Sequence, residues 1–357
     1  MGETSTDTLI ESSTPPSSNQ PERRGLDWHG IVAFLTLLAC LPTLLAAAAR
    51  WHWTLDLFCH FRVYYALALL LGVVVSIALG NRRTAAVAGL VLAWNLVLIA
   101  PLYVSSPAAS AARTPAAMQA AIAEDRVIRG MSINILSRNG HHDELLTYVR
   151  QEDPDFVFFM EVNDVWAERL QELEADYPHH VERWRNGNFG VSFYSRLEAK
   201  SLDIEVLSET NVPSVVAVLT TRDGVDFTVL GTHPVPPTGP QNSRERNEQL
   251  RALAAKVAET AGPVMLMGDL NATSWSPHFQ DLLRESKLHD SRIGFGVQGT
   301  WAPRRFVPKL PIDHVLTTGE FAIHDRRVGP DIGSDHRPVT VDFHVGPRPS
   351  PQPTAKE

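Results

Sequence analysis

The hydrophobic pattern divides the chain into two unlike parts. Three long apolar runs come first, at residues 31–49, 63–80 and 84–104, joined by short polar segments. From about Val127 the pattern changes to short apolar runs alternating with amphipathic segments, continuing to Val345. The early runs are of the length that crosses a ~30 Å hydrocarbon core, the second slightly shorter than the others. A cleavable signal would account for one such run, not three. Trp51, Trp53, Tyr64, Tyr65 and Tyr103 fall near their ends, where amphipathic rings favour the membrane–water boundary. The competing reading, buried helices of a soluble domain, fits poorly with near-consecutive runs and short polar joints. The spacing therefore predicts a membrane region over 29–104 with three transmembrane helices.

The later part predicts strands at 127–136 and 156–160, with helices at 143–151 and 165–175. Strands follow at 191–194, 202–207, 215–220 and 227–230, the last two joined through an Asp223-Gly224 turn. A helix over 244–260 carries Leu250, Leu253 and Val257 on one face. A strand ending at Gly268, a helix at 277–286 and strands at 313–317 and 339–345 complete the pattern. Hairpins mixed with crossovers predict a layered α/β sandwich over 127–345. Residues 105–126, rich in Ala, Ser and Pro, read as a linker with a short helix around 116–123. Residues 1–28 and 346–357 read as disordered polar tails.

Composition narrows the partners. The net charge of -8 gives no global basic field to attract nucleic acid, although a local basic patch remains open. Both cysteines, Cys40 and Cys59, lie in or beside the apolar third, so the polar part has neither a disulfide framework nor a thiolate metal site. Arg23 and Arg24 precede the first run, and Arg82 and Arg83 separate the second from the third, against Arg50 and Arg62 in the other joint. The positive-inside rule then places the chain in the cell membrane as a multi-pass protein, with everything after Val104 on the outer, periplasmic or extracellular side. The opening Met-Gly-Glu-Thr-Ser-Thr fits a myristoylation pattern, but one so short occurs by chance and the chain is anchored anyway.

The candidate chemistry lies at strand ends. Val264-Met265-Leu266-Met267-Gly268 leads into Asp269 and Asn271, whose spacing lets both side chains leave one face while Leu270 packs the other way. Asp269 can take a proton or hold a water, and Asn271 can orient it; Gly-Asp at a strand end is also a common turn. Asn134 interrupts an apolar strand, where a carboxamide needs a partner. Glu161 directly follows a buried strand, the position of a hard-cation ligand or of a first solvated residue. His233 ends another strand and is a weak signal alone. Asp313 and His336 occur in Ile312-Asp313-His314 and Gly333-Ser334-Asp335-His336-Arg337-Pro338. An aspartate accepting from a histidine fixes its tautomer and favours the imidazolium that a phosphate-facing histidine needs, and Asp313 is the candidate partner of His336.

Taken in order, Asn134, Glu161, Gly231-Thr232-His233, Gly268-Asp269-Leu270-Asn271, Ile312-Asp313-His314 and Ser334-Asp335-His336-Arg337-Pro338 resemble the motif series of the endonuclease/exonuclease/phosphatase superfamily. The match covers roughly residues 127–345. Arg246-Asn247-Glu248-Gln249-Leu250 is similar to the helix after the histidine motif in bacterial members, and Asn188 to Arg196 to the family's central strand. The three apolar runs resemble its membrane-anchored bacterial branch. The resemblance implies a DNase I-like four-layered α/β (α+β) sandwich preceded by three transmembrane helices. It implies Mg²⁺ or Mn²⁺ bound by Glu161 with Asn134 and Asp335 nearby, and an attacking water aligned by Asp269 and oriented by Asn271. It also implies His336, held by Asp313, on the scissile phosphate, with His233 as a second phosphate contact. Phosphoester hydrolysis needs such a set: a metal, a directed water and cationic stabilisation of the phosphoryl oxygens.

The substrate is less constrained. Arg304, Arg305 and Lys309, interleaved with Trp301 and Phe306, are candidates to grip a phosphate head group or a nucleic-acid backbone, or form a solvated loop. Tethering raises the effective concentration of membrane-borne substrates, which favours a lipid or envelope phosphate ester over nucleic acid. An endo- or exonuclease is the second reading. A catalytically silent membrane scaffold would be expected to erode Glu161, Asp269, Asn271 or His336, and all are present. A zinc hydrolase would need a His-x-x-x-His pair or thiolates, and this part of the chain has neither. The adjacent pairs His141-His142 and His179-His180 read as surface residues.

Overall fold

A computed structural model describes residues 27–302 and 309–346 of the chain. Most of both polar tails, together with Arg304, Arg305 and Phe306, lies outside the described residues.

Three helical stretches are long and apolar enough to cross a membrane: Trp28–Ala47, Trp53–Ala78 and Arg82–Tyr103. The first runs as α1 (Trp28–Leu38) and α2 (Leu41–Ala47), with Pro42 in the opening turn of α2, where its missing N–H costs nothing. The second runs as α3 (Trp53–Leu57), a 3-10 turn (Phe58–Phe61) and α4 (Arg62–Ala78). The third is α5 (Arg82–Ile99), closed by a 3-10 turn (Ala100–Tyr103). Leu67, Leu70, Leu71, Val74, Ile77, Val87, Leu90 and Val97 are exposed on α4 and α5. Inside the bundle Arg62 donates to Asn95 at 3.1 Å and Asn95 to Thr43 at 2.9 Å, a polar link between the helices.

The linker is more ordered than its composition predicts. It forms α6 (Pro107–Ala112) and α7 (Pro115–Ala123), each with proline in its first turn. Arg113 pins it by donating to the Ile293 carbonyl at 2.7 Å and lying 3.9 Å over the Phe295 ring.

The remaining elements are β1 (Ile128–Asn134), α8 (His142–Glu152), β2 (Phe156–Met160), α9 (Asp164–Leu170), β3 (His179–Arg183), β4 (Val191–Ser195), β5 (Ala199–Val206), β6 (Pro213–Thr220) and β7 (Asp226–Thr232). They continue as α10 (Pro240–Glu259), β8 (Val264–Asp269), α11 (Pro277–Ser286), β9 (His289–Asp290), β10 (Asp313–Thr317), β11 (Phe321–Val328) and β12 (Val339–Val345). They build two six-stranded sheets, ordered β11-β12-β1-β2-β4-β3 and β5-β6-β7-β8-β10-β9. Phe156, Phe158, Phe193, Phe227, Val229, Met265, Met267, Val341 and Phe343 fill the space between the sheets. Trp166, Leu145 and Val149 pack α8 and α9 on the outer face of one sheet; Leu250, Leu253, Phe279 and Leu282 pack α10 and α11 on the other. Helix, sheet, sheet, helix is the four-layered architecture expected from the sequence.

The pattern misses β3, β9 and β11. The first and last are sheet edges, where only one side of the strand needs apolar cover, and β11 carries His324, Asp325, Arg326 and Arg327 in succession. β9 is two residues long. The helix expected over 165–175 leaves α-geometry after Leu170 and ends in a 3-10 turn.

The sandwich rests on the helical bundle. Arg50 pairs with Asp281 at 2.7 Å, and the Trp275 indole donates to Leu98 O at 3.0 Å. The amides of Gly294 and Gly296 both donate to Leu102 O at 2.8 Å. The joint around residues 48–62 and the end of the third stretch therefore both meet the sandwich.

Candidate active site

Two parallel pairings gather the chemistry at one end of the sandwich. β1 runs parallel to β2, and β7 parallel to β8, so Asn134, Glu161, His233 and Asp269 all fall at carboxyl ends. β10 enters antiparallel to β8 with Asp313 opposite Asp269. β12 is antiparallel to β1, so the turn before it, carrying Ser334, Asp335 and His336, meets the same end. Ser334 anchors that turn by donating to Asn134 O at 2.8 Å and accepting from His336 N at 3.1 Å.

Backbone strain accumulates here. Leu136, Glu161 and Asn271 have φ of 58°, 64° and 48°, the left-handed region that costs an L-residue free energy. Gly268 has φ 139°, and a Cβ there would lie 1.9 Å from Thr232 O, so only glycine lets β8 approach β7 closely enough to deliver Asp269.

Asp269 is buried between two histidines. Its Oδ2 lies 3.4 Å from His233 Nε2 and 3.5 Å from His336 Nε2, and its Oδ1 accepts from Asn271 N at 2.9 Å. The opposite nitrogen of His336, Nδ1, is 2.9 Å from Asp313 Oδ2. Burial opposes the charged imidazolium, yet the Asp313 and Asp269 carboxylates outweigh it and push His336 up to about 10. Burial likewise opposes charging His233, but Asp269 raises it. Burial tends to raise Asp269, and the two histidines overcome this to lower it. Asn271 donates from Nδ2 to Pro234 O at 2.9 Å, which fixes its amide beside the carboxylate.

The other carboxylates have neutral donors. Glu161 accepts from Asn134 Nδ2 at 3.0 Å and Ser137 N at 3.3 Å. Asn134 Oδ1 is engaged by Leu136 N at 3.1 Å, so Asn134 orients the Glu161 carboxylate. Asp335 Oδ2 accepts from the Trp301 indole at 3.2 Å, and Asp335 Oδ1 is buried with no partner among the described residues. An orphaned carboxylate oxygen in the same cleft as Glu161 fits a hard divalent cation, which takes oxygen donors and keeps several waters. Asp269, Asp313 and His336 also bring their donor atoms within 4.8 Å of one another. The 2.9 Å Asp313–His336 bond already uses one imidazole nitrogen, so this group is better described as a hydrogen-bonded chain than as a cation site.

The cleft has a volume of about 520 Å³. Glu161, His233, Asp269, Asn271, Asp335 and His336 line it; Asp313 and Asn134 stand behind them. Lys309 is exposed and is not among the lining residues, whereas its neighbour Leu310 is. His314, next to Asp313, points away: its Nε2 is 2.7 Å from Ala272 O and its ring packs on Phe279. Sequence reasoning missed one wall altogether. Leu57, His60 and Phe61, from the segment before α4, line the cleft beside Glu161, His233 and Asp269. The signal was available: Asp56, His60 and Arg62 are ionisable residues bordering an apolar run, a combination that marks function in membrane helices.

Comparison with known proteins places the fold. A model of the endonuclease/exonuclease/phosphatase family matches residues 131–336. A UPF0294 protein of Vibrio parahaemolyticus is 29% identical over 125 residues, covering 34% of this chain and 41% of that relative. The chain thus matches about two fifths of that relative's length. Among solved structures, D. rerio TDP2 complexed with a single-strand DNA product superposes with a TM-score of 0.53 at 18% identity, covering 61% of this chain and 99% of that one. An endonuclease/exonuclease/phosphatase from Beutenbergia cavernae gives 0.52 at 22% identity, covering 63% and 73%. The 3' phosphatase NExo from Neisseria, bound to a product DNA hairpin, gives 0.50 at 18% identity, covering 60% and 99%. At such identities these three likenesses speak for the fold. With the family model spanning more than half of its length, the chain belongs to the endonuclease/exonuclease/phosphatase family of hydrolases acting on phosphoester bonds.

Proposed function

We propose that this chain is a membrane-anchored, divalent-metal-dependent phosphoesterase whose substrate is a phosphate ester carried by a membrane lipid or another envelope component. One observation carries the choice of substrate: the cleft is walled by Leu57 and Phe61 of the apolar region and by Leu136, Pro236, Leu310 and Ile312. Beside its histidines, Arg138 is the one cation lining it among the described residues. An apolar wall continuous with the membrane helices suits a phosphoester attached to a hydrophobic body, which a polyanionic backbone does not supply.

In this reading Glu161 and Asp335, with Asn134 orienting the former, would hold Mg²⁺ or Mn²⁺. A bound divalent cation supplies Lewis-acid polarisation of the phosphoryl oxygen. Asp269, kept ionised by two buried histidines, accepts a hydrogen bond from the attacking water and takes its proton as the new P–O bond forms and the ester P–O bond breaks, the leaving alkoxide taking a proton from solvent. Asn271, its Nδ2 held by Pro234 O, presents Oδ1 to the same water. His336 stays charged through its bond to Asp313, and with His233 it stabilises negative charge developing on the phosphoryl oxygens.

A second reading, hydrolysis of nucleic acid, is favoured by the DNA-bound relatives of the same fold, and the exposed Arg138 at the cleft could contact a backbone phosphate. One experiment separates the two. The full chain in lipid nanodiscs, with Mg²⁺ or Mn²⁺, is offered bis-p-nitrophenyl phosphate, phospholipid vesicles and plasmid DNA, with Glu161→Ala as control. The proposal expects release of a lipid head group or phosphate that is lost in the variant, with DNA intact. DNA cleavage lost in the variant, with lipids intact, would replace it by the nuclease reading.

A further inference from the structure

The loop after β8, which carries Asn271, is held from outside the sandwich. Arg246 in α10 is 1% exposed, and its guanidinium makes three bonds. Nη1 donates to Asn271 O at 2.9 Å, Nε to Asn247 Oδ1 at 2.7 Å, and Nη2 to Asp56 Oδ2 at 2.5 Å. Asp56 belongs to α3, at the head of the second apolar stretch, and is itself 1% exposed. It is the carboxylate paired with Arg246 in this buried setting. Two residues past Asn271, Thr273 is bound to the same membrane segment. His60 Nδ1 lies 3.1 Å from Thr273 Oγ1 and accepts from Thr273 N at 3.4 Å.

These contacts have a common effect. Asn271 adopts a left-handed backbone, which must be held in place by its surroundings. Its N–H is fixed by Asp269 and its carbonyl by Arg246, so both peptide planes flanking the residue are set. The direction of its side chain follows from those planes. A charged donor on the carbonyl makes the stronger kind of hydrogen bond, and the planar fork of arginine can serve Asn271 and Asp56 together where an ammonium could not. Among the described residues no other carboxylate pairs with Arg246, so without Asp56 the guanidinium would have to move toward a counter-charge.

We propose that Asp56 is a positioning residue for hydrolysis: acting through Arg246 it fixes the Asn271 turn, so the membrane region is a working part of the active site and not only its anchor. This rests on the reading of Asn271 as the group that orients the attacking water. The bundle and the catalytic groups are then one unit. A membrane environment that shifts α3 would alter turnover while leaving the sandwich intact.

The test uses the full chain in nanodiscs with Mn²⁺ and bis-p-nitrophenyl phosphate. The variants are Asp56→Asn, Asn271→Ala, their combination, and Arg246→Lys, which keeps a charge for Asp56 but cannot reach Asn271 as well. Displacement of a water-orienting group predicts a fall in kcat of about 10- to 100-fold for Asp56→Asn and Arg246→Lys, with KM nearly unchanged. Because Asp56 acts through Asn271, the double variant should be no slower than Asn271→Ala alone. Multiplying effects, or a kcat unchanged in both Asp56→Asn and Arg246→Lys, would overturn the proposal. Amide hydrogen exchange supplies a readout that needs no turnover: residues 270–274 should exchange faster in Asp56→Asn, with β8 and α10 unaltered. Unchanged exchange in that loop would also overturn it. Faster exchange in a chain that hydrolyses nothing would instead count against the phosphoesterase reading and leave the coupling standing.

Discussion

The two sheets contribute carboxylates of the same type to the cleft and place them in opposite surroundings. At the β1–β2 side, Glu161 and Asp335 receive hydrogen bonds from neutral groups: an amide side chain, a backbone N–H and an indole. At the β8–β10 side, Asp269 and Asp313 face the imidazoles of His233 and His336. A carboxylate held only by neutral donors is an anion still in need of a cation. A carboxylate flanked by imidazoles already has one, and in the proposed mechanism is left to accept from a water. Sequence alone gives Glu161 and Asp269 as acids after buried runs, Asp313 at the start of a strand and Asp335 in a loop bounded by glycine and proline; their neighbours across the cleft divide them into two kinds.

Variants can break this division, beginning with the largest effect. Asp269→Asn removes the proton acceptor without changing its shape, and kcat should fall by about 10²- to 10⁴-fold at saturating Mn²⁺. Glu161→Gln should act on the other half, raising the Mn²⁺ concentration needed for half-maximal activity by about 10- to 100-fold, with turnover partly restored by added metal. A metal-independent loss in Glu161→Gln would erase the distinction. The smallest effect belongs to Trp301→Phe, which takes away the indole donor to Asp335 while keeping an aromatic wall. It should raise the Mn²⁺ requirement by no more than about tenfold, read from activity against metal concentration.

Much of the fold was legible because its information is local. The apolar strands at 156–160 and 264–268 and the amphipathic face of α10 show their burial in their own periodicity. The strand-end acids were legible for a related reason: a carboxylate directly after a buried run has few places to go. The edge strands β3 and β11 were not, because one-sided burial leaves charged residues in place. Asp56, His60 and Arg62 beside an apolar run marked that segment as unusual, but that Leu57, His60 and Phe61 form a wall of this cleft was not legible. The contact that brings it in, Asp56 with Arg246, spans 190 residues of chain, and no local pattern encodes which loop an apolar segment will touch. The linker behaved similarly, since Arg113 stacked on Phe295 and His324 bound to Ala112 O hold it against the sandwich through residues distant in the chain.

The division between the halves can be tested directly by Mn²⁺ titration calorimetry on the full chain, its Glu161→Gln variant and its Asp269→Asn variant, with turnover measured on the same preparations. Asp269→Asn should bind Mn²⁺ like the unaltered chain but turn over slowly, while Glu161→Gln should lose affinity. If Asp269→Asn lost Mn²⁺ binding and Glu161→Gln kept it, the cation would belong among Asp269, Asp313 and His336, and the assignment of the two halves would be wrong.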